Sequence, residues 1–304
     1  MAPQEARARV MGTDAHVVVV GGPVGPGAAI ERLEELERTW SRFLPDSDIS
    51  RLNAAAGAWV EVGPETMALL ERAALAHDRT GGRFDPYRLR HVIRAGYGTA
   101  PGVWLEPSAR PDPAEDGIGA VELDPEGSAA RLPPGVGFDP GGIGKGYAAD
   151  LVVAELRDAG AVGACVNVGG DLRVFGDTGG DGPWTVEVED PADPDASLFR
   201  LAVADGAVCT SSRLRRRWLG ADGAEAHHLI DPATGRPAVT EALSATVLAA
   251  EAWQAEALSK VAFLAGPDHF ADLLADAGAT GLVVTAEGAV PAGGLEPFVL
   301  PPVG

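Results

Sequence analysis

Cysteine is scarce in this chain of 304 residues, which holds only Cys165 and Cys209. Two cysteines are too few for a disulfide framework, and neither belongs to a Cys-x-x-Cys pair of the kind found in metal and redox sites. Unpaired cysteine is among the residue types most often buried in proteins. The sequence therefore predicts two reduced thiols in the core.

Basic residues are also few, since 24 lysines and arginines stand against 44 aspartates and glutamates, for a formal net charge of −20. A surface this acidic repels nucleic acid and anionic membranes, so neither is expected as a partner. It also repels an anionic small ligand. A site for such a ligand would need local cations, a metal ion or helix N-termini.

Long apolar runs are absent, and no segment approaches the roughly 20 residues that a membrane helix needs. Residues 1–10 are polar and contain no apolar stretch typical of a secretory signal. Apolar residues make up 46% of the chain and charged residues 22%, the composition of an ordinary globular protein. We therefore expect a cytoplasmic protein without membrane insertion.

Strand-like runs outnumber helical patterns and do not alternate strictly with them. His16–Val20 is the first such run, Pro64 opens a helical pattern, and another helix is predicted around residues 252–264. This arrangement indicates an α+β fold rather than a doubly wound sheet. The Gly- and Pro-rich stretch 96–119 is the best candidate for a boundary between lobes of one domain that spans residues 1–304.

The most unusual segment is Asp139–Gly146, with the sequence DPGGIGKG. Four glycines in six positions expose backbone N–H groups, and Lys145 adds a positive charge where a helix begins, which together form a phosphate cradle. A tight turn with positive φ at several positions is the alternative. A P-loop does not fit, because Gly146 stands where Ser or Thr is needed, and no clear strand leads into a Rossmann-type motif.

Seven motifs, in order along the chain, resemble those of the ApbE family. The most specific is DPGGIGKGYAAD, which is similar to the family's D-x-G-G-I-A-K-G-Y-A-x-D and differs mainly at Gly144, where Ala is usual. The others are Met11–Thr13 (MGT), Ser41–Phe43 with Ser47–Asn53 (SRF and SDISRLN), Gly82–Pro86 (GRFDP), Asn167–Gly176 (NVGGDLRVFG), His228–Pro237 (HLIDPATGRP) and Ala255–Gly266 (AEALSKVAFLAG).

This resemblance implies a T-fold-related α+β architecture: a two-lobed single domain with mixed or antiparallel sheets, flanking helices and a flavin site between the lobes. It also implies FAD:protein FMN transferase activity, with FAD and an acceptor flavoprotein as partners. A Ser or Thr hydroxyl of the acceptor would attack the FMN phosphorus, FMN would be attached through a phosphoester, and AMP would leave. Mg²⁺ is the usual cation of the family.

The resemblance also implies roles for individual residues. His228 would be the general base, with a purely structural histidine as the alternative. Asp231 would orient His228 or lie near the flavin, with capping of the following turn as the alternative. Phe43 would stack on the flavin ring, and Lys145 would contact phosphate unless it is only a surface lysine at a helix start. For the glycines after Asn167, a simple turn between strands is the alternative. The remaining cofactor-binding positions are Met11, Asp139, Gly141, Gly142, Asn167, Gly169, Gly170, Asp171, Thr210 and Ser211, together with His228 itself.

The chain departs from the family at the metal site. The family's ligands are an Asp and a Thr four residues apart on a helix, plus a backbone carbonyl that corresponds here to Gly144. Glu256 keeps a hard oxygen ligand, but Lys260 stands at the Thr position, and a protonated amine cannot bind Mg²⁺.

Two consequences of Lys260 are open from the sequence. Its ammonium could replace the charge of the metal and contact the FAD pyrophosphate. The protein could instead bind FAD without transferring FMN. A rival function for the chain is an FAD pyrophosphate hydrolase, in which water takes the place of the protein hydroxyl. A solvated ion pair of Glu256 and Lys260 at the helix surface is the structural alternative.

Two basic stretches stand out in this acidic chain. The first contains Arg88, Arg90, His91 and Arg94, and the second contains Arg213, Arg215, Arg216 and Arg217. If the second lies on a strand, alternate arginines face one way and could grip phosphate or an acidic target loop. An edge strand protected by charge is the alternative.

Overall fold

A computed structural model describes residues 1–98, 116–191, 193–214, 217–219 and 225–301 of the chain. Most of the stretch 96–119 lies outside the described residues, as do Arg215 and Arg216. The lobe boundary expected in that stretch therefore stays a prediction.

The regular elements are numbered in chain order. The α-helices of the described residues are α1 (Pro26–Trp40), α2 (Asp48–Ala54), α3 (Pro64–Arg79), α4 (Leu89–Arg94), α5 (Gly144–Asp158), α6 (Ala252–Ala265) and α7 (Phe270–Asp276). The strands are β1 (Gln4–Val10), β2 (Thr13–Val20), β3 (Val60–Glu61), β4 (Glu122–Asp124), β5 (Ala129–Arg131), β6 (Gly163–Val168), β7 (Asp171–Gly176), β8 (Trp184–Asp190), β9 (Asp193–Val203), β10 (Asp205–Ser212), β11 (Arg217–Leu219), β12 (Glu225–His227), β13 (Ile230–Asp231), β14 (Arg236–Pro237), β15 (Ser244–Ala249), β16 (Thr280–Thr285) and β17 (Gly288–Pro291).

The chain divides into two compact units. The first contains Met1–Leu36, Lys145–Ser212 and Thr240–Gly304, and the second contains Glu37–Gly144 and Arg213–Val239. The first unit is built on an eight-stranded sheet with the strand order β1-β2-β6-β7-β10-β15-β16-β17. Every neighbouring pair in this sheet is antiparallel.

Both faces of the sheet are covered at its middle strands. Helix α6 packs on β10 and β15, and the thiol of Cys209 donates to the Ala252 carbonyl at 3.4 Å. On the other face, Val208 belongs to an apolar cluster that includes Val188 and Leu201 of the β8–β9 hairpin. Ala207, Val208 and Cys209 of β10 are buried on both faces, so this part of the strand is apolar without alternation.

The second unit combines helices with small sheets, in which β5 lies between β3 and β4 and two further pairs are β11–β12 and β13–β14. Two of its helices begin at residues that favour a helix start. The Ser47 hydroxyl accepts the Ser50 N–H at 3.0 Å to cap α2, and Pro64 occupies the first turn of α3, where proline is best tolerated. The carboxylate of Asp48 joins the two helices by accepting from the Gly63 N–H and the Thr66 hydroxyl.

The predicted α+β class is confirmed by the helices and the antiparallel sheet. The run His16–Val20 forms the predicted strand as part of β2, and β1, which precedes it in the chain, pairs with it. Strand β1 carries exposed Glu5, Arg7 and Arg9 at alternate positions of a sheet edge, and such a strand lacks the β-branched run that identifies buried strands. No helix in the described part of the chain is both long and apolar enough to cross a bilayer.

Candidate functional site

Helix α6 begins at a carboxylate supplied by α5. The two carboxylate oxygens of Asp150 accept the N–H groups of Ala252 and Trp253 at 2.8 and 2.9 Å. A negative charge at this end satisfies two orphan N–H groups and complements the helix dipole. Burial raises the pKa of Asp150 to about 7, against the opposing effect of these bonds. The cap fixes where α6 begins and thus which of its side chains face the sheet.

Lys145, in the first turn of α5, lies between two carboxylates. Its Nζ is 2.5 Å from Oδ2 of Asp171 and 2.5 Å from Oε1 of Glu256. Glu256 is completely buried, and its Oε2 accepts the Gly146 N–H at 2.8 Å. Burial alone would lower the pKa of Lys145, but the two carboxylates outweigh it and raise the pKa, so the ammonium stays charged. The alternative of a surface lysine at the helix start is therefore wrong.

Lys260 lies one turn after Glu256 on α6. Its Nζ donates to the Glu256 backbone carbonyl at 3.2 Å and lies 3.6 Å from Oε1 of the same residue. Burial lowers the pKa of Lys260, partly offset by Glu256. Burial would raise the pKa of Glu256, but the ammonium groups of Lys145 and Lys260 hold it below its usual range. The alternative of a solvated surface pair is wrong, because Glu256 has no exposed surface.

We call Lys145, Asp171, Glu256 and Lys260 the lysine cluster. It contains both lysines of the chain, and all the other basic side chains among the 24 are arginines. An ammonium is a compact charge, whereas a guanidinium is a wide planar fork. Two cationic side chains face two acidic ones, so the formal charges of the cluster balance.

Hydroxyl groups join β10 to its neighbours α6 and β15. The Ser259 hydroxyl donates to the Glu256 carbonyl at 2.8 Å and lies 2.7 Å from the Ser211 hydroxyl. Thr210 and Thr246 are direct partners in the sheet, and their hydroxyl oxygens are 2.9 Å apart. Of the two predicted cofactor positions here, Ser211 is buried and Thr210 is exposed. Their contact with flavin stays a prediction.

The residues of the lysine cluster do not fit a divalent cation. Mg²⁺ needs octahedral oxygen ligands, usually one or two carboxylates completed by water. Both oxygens of Glu256 already face Lys145 or Gly146, and Lys260 brings a like charge to the same carboxylate. No group of three or more His, Cys, Asp or Glu side chains in the described ranges could hold a metal ion. The metal roles predicted for Gly144 and Glu256 are thus not supported by the donors present.

The glycine-rich segment before α5 is organised by Asp139. Its Oδ1 accepts the Gly141 N–H at 2.9 Å and caps the short 3₁₀ helix Pro140–Gly142. None of the four glycines at positions 141, 142, 144 and 146 has a positive φ, so the alternative of a turn that requires such angles is wrong. Gly146 is needed for another reason, because a Cβ there would lie 2.3 Å from the Ala252 carbonyl oxygen.

Asn167 to Asp171 form the turn between β6 and β7. Gly169 and Gly170 have φ angles of 66° and 92°, which two-residue hairpin turns require, and the Asn167 side chain accepts the Gly170 N–H at 2.9 Å. Met11 similarly lies in the β1–β2 turn, with a φ of 53°. Gly169 and Gly170 form the simple turn between strands that was the alternative for them. The flavin contacts predicted for Met11, Asn167, Gly169, Gly170 and Asp171 stay predictions.

The second unit contains a cluster of aromatic rings around Arg42, which we call the aromatic cluster (Arg42, Phe43, Tyr97 and Trp218). The Arg42 guanidinium carbon lies 4.1 Å from the Phe43 ring centre and 5.1 Å from that of Tyr97. Tyr97 in turn stacks on Trp218 at 6.2 Å. The sequence indicated only Phe43, because no periodicity links positions 42, 97 and 218. Such faces suit a flat, electron-poor ligand.

The two adjacent histidines occupy different environments. His227 is buried, its Nε2 lies 3.1 Å from the Ala238 carbonyl oxygen, and its Nδ1 accepts the Leu229 N–H. His228 is half-buried, and its role as general base stays a prediction. Asp231 accepts the Ala233 N–H at 2.9 Å, as the turn-capping alternative requires. Its proposed contact with His228 or flavin is untested.

The first basic stretch lies against the carboxylate of Asp116, and the second does not form one continuous strand. Asp116 lies 2.6 Å from Arg94, 3.2 Å from Arg90 and 3.5 Å from His91. The expectation of consecutive arginines on one strand is wrong for Arg213, because β10 ends at Ser212. Of that stretch, Arg217 is the described arginine that lies on a strand, at the start of β11.

Comparison with known proteins identifies the relatives of this chain. The model of the ApbE family matches residues 11–283. The chain is 31% identical over 259 residues to an FAD:protein FMN transferase of Treponema pallidum (strain Nichols), covering 80% of this chain and 71% of the relative. The crystal structure of the ApbE protein of Thermotoga maritima MSB8 is similar over 99% of this chain and 100% of its own, with a TM-score of 0.87 and 29% identity.

The flavin transferase ApbE of Vibrio cholerae has the same fold, with a TM-score of 0.81 and 23% identity over 98% of this chain and 99% of its own. The motifs, the fold and the match across residues 11–283 agree. The chain is a member of the ApbE family.

Proposed function

We propose that this chain is an FAD:protein FMN transferase. The observation that carries the proposal is the similarity, across 80% of the chain, to the Treponema pallidum protein of that name. The transfer to a Ser or Thr hydroxyl of an acceptor flavoprotein, and the cytoplasmic location expected from the sequence, belong to the same proposal.

The proposed reaction is a phosphoryl-type transfer. The acceptor hydroxyl oxygen forms a bond to the FMN phosphorus, the bond from that phosphorus to the bridging oxygen of FAD breaks, and AMP leaves. The hydroxyl proton goes to a base, for which His228 is the proposed residue. Such a reaction is accelerated chiefly by positioning and by neutralising developing charge. A chain with a net charge of −20 must concentrate cations locally to do so.

Separate groups of described residues suit separate parts of the substrate FAD. Phe43, with Arg42 and Tyr97 against it, offers an aromatic surface for the isoalloxazine ring. The segment Asp139–Gly146 offers backbone N–H groups, and Lys145 is a buried cation that two carboxylates hold in place. Lys145 has three N–H donors, so one remains for phosphate after the two carboxylates. Because the donors do not fit a divalent cation, we assign no step to a metal.

The test is incubation of the purified protein with FAD and an acceptor domain, followed by mass spectrometry of the acceptor and quantification of AMP. We expect covalent FMN and one equivalent of AMP, and no FMN on an acceptor whose target Ser or Thr is replaced by Ala. Intact FAD under all conditions would instead indicate a flavin-binding protein. AMP with free FMN would indicate an FAD pyrophosphate hydrolase.

The adjacent histidines provide a matched pair of variants for the same assay. His228→Gln should abolish transfer because the base is lost, while FAD binding, to which His228 is one predicted contact among many, should fall only slightly. His227→Gln should lower the thermal stability, because that imidazole bonds Ala238 and Leu229 in the interior, and the folded fraction should retain transfer. Normal transfer by His228→Gln would exclude His228 as the base.

A further inference from the structure

The lysine cluster carries an inference about the chemistry by which FAD is held, and this inference rests on the proposed function. Its starting point is the disagreement between the family's metal site and the residues found here. Oε1 of Glu256 lies 2.5 Å from Lys145 Nζ and 3.6 Å from Lys260 Nζ, and Oε2 accepts the Gly146 N–H. An ion bound to either oxygen would share that oxygen with one of these donors and lie close to an ammonium group.

The formal charges of the lysine cluster also disfavour a bound divalent cation. Lys145 and Lys260 already neutralise Asp171 and Glu256, and the four side chains are between 0% and 17% exposed. A divalent ion added here would leave two uncompensated positive charges beside two ammonium groups, in surroundings with little water. Buried charges without partners are strongly unfavourable. The apoprotein should therefore reject Mg²⁺ at this position.

The two ammonium groups are not equally engaged. Lys145 contacts two carboxylates at 2.5 Å, whereas the nearest carboxylate oxygen to Lys260 is 3.6 Å away. Within the described ranges, Lys260 donates one hydrogen bond, to the Glu256 carbonyl. An ammonium has three donors. Lys260 therefore has more N–H groups left for a ligand than Lys145 has.

Residue usage points to selection for an ammonium at this position. The chain has only two lysines in 304 residues and places arginine at every other basic position. Both lysines nevertheless meet at one buried carboxylate. A compact ammonium fits beside Glu256 and can approach a phosphate oxygen as a point charge, whereas a guanidinium would require more space.

We propose that Lys260 replaces the divalent cation in this chain, so that the FAD diphosphate is bound by a lysine ammonium and FAD binding requires no Mg²⁺. The ligand is the diphosphate group, which the ammonium meets by charge-assisted hydrogen bonds. In addition to its own phosphate contact, Lys145 keeps Glu256 ionised and in place.

The first test compares FAD binding by the native protein in EDTA and in millimolar Mg²⁺, measured by flavin fluorescence. We expect dissociation constants that agree within about twofold. Lys260→Met, which keeps the length and removes the charge, should weaken binding by about tenfold or more in both buffers. Lys260→Arg should also bind less tightly than the native protein, because the guanidinium is too wide.

The matched variant restores the family's ligand pattern by combining Glu256→Asp with Lys260→Thr. This protein should bind FAD at least tenfold more tightly in Mg²⁺ than in EDTA, which is the dependence absent from the native chain. Thermal melting by circular dichroism checks that each variant is folded. The proposal is overturned if EDTA weakens FAD binding by the native protein tenfold, or if folded Lys260→Met binds FAD as the native protein does.

Calorimetric titration of the FAD-free protein with MgCl₂ separates this inference from the proposed function. We expect no binding heat for the native protein and a measurable heat for the double variant. Saturable binding of Mg²⁺ by the native protein would overturn the replacement. Absence of FAD binding in both buffers would instead contradict the proposed function and remove the assigned ligand of Lys260, and the Mg²⁺ titration would still decide whether the cluster rejects the metal.

Discussion

Nζ of Lys145 lies 2.5 Å from Oε1 of Glu256, and the next backbone N–H along α5, that of Gly146, donates to Oε2 of the same carboxylate at 2.8 Å. One buried carboxylate thus joins the first turn of α5 to α6. Because Glu256 has no exposed surface, water cannot stabilise its charge. Its ionisation depends on the ammonium groups beside it, so charge balance in the lysine cluster should control stability.

Glu256→Gln should lower the free energy of unfolding by about 3–5 kcal/mol, because it leaves two buried ammonium groups with one carboxylate. Adding Lys260→Met should restore a large part of this loss, since Lys145 and Asp171 then remain as a balanced pair. Urea unfolding of the native protein, both single variants and the double variant at pH 7 gives the coupling energy, which we expect to exceed about 1 kcal/mol. Effects that add to within about 0.5 kcal/mol would contradict charge balance as the cause.

Gly146→Ala should destabilise the protein by about 1–3 kcal/mol. The new Cβ would lie 2.3 Å from the Ala252 carbonyl oxygen and 2.5 Å from its carbon, and backbone atoms cannot move aside easily. Gly27→Ala in α1 is the control, because no atom lies within 4 Å of that Cβ position. The control should be neutral or stabilise by up to about 1 kcal/mol. Thermal denaturation measures both, and equal melting temperatures would refute the close approach of α5 and α6.

Stability should depend on pH through Asp150, whose pKa burial raises from 3.8 to about 7. Between those values the folded protein keeps a proton that the unfolded chain releases. The free energy of unfolding should therefore fall as pH rises from about 4 to about 7 and level off above 7. Arg173, 3.5 Å away, and the neighbouring Glu251 act on the same group with opposite signs.

Asp150→Asn isolates this contribution, since the amide does not titrate and still accepts one helix N–H. We expect urea unfolding of both proteins at pH 5, 6, 7 and 8 to show that the free energy of unfolding of the native protein falls, relative to that of Asp150→Asn, as pH rises. The expected change is on the order of 2–4 kcal/mol. A stability difference that stays constant across this range would show that Asp150 ionises normally.

Phe43→Ala should weaken FAD binding by about tenfold, and Phe43→Tyr should preserve it within about threefold, because the stacking face is retained. This prediction depends on the proposed function. Trp59→Ala is the matched control, since Trp59 also stacks with an arginine, Arg131 at 4.8 Å, but belongs to no predicted flavin contact. Flavin fluorescence titration measures all three, and an equal loss for Trp59→Ala would mean that the effect of Phe43 is not local.

Much of the architecture is contained in local sequence patterns. Pro64 marks the start of α3, the two consecutive glycines at 169 and 170 mark the β6–β7 turn, and residues 252–265 form the helix expected there. These features depend on the conformational preferences of neighbouring residues, which a single sequence displays. The ordered motifs likewise determined the family, because each is a run of adjacent residues.

The tertiary structure decided what Glu256 and the two lysines do. Helix α6 is buried on most of its circumference, and a helix without a polar face has no periodicity that shows which side meets the sheet. Glu256 finds its closest partner 111 positions away in Lys145, and local patterns do not specify such a pairing. The sequence determined that a lysine stands where the family has a threonine. Only the packing of α6 on β10 and β15, and against the start of α5, made that lysine part of a buried, charge-balanced cluster.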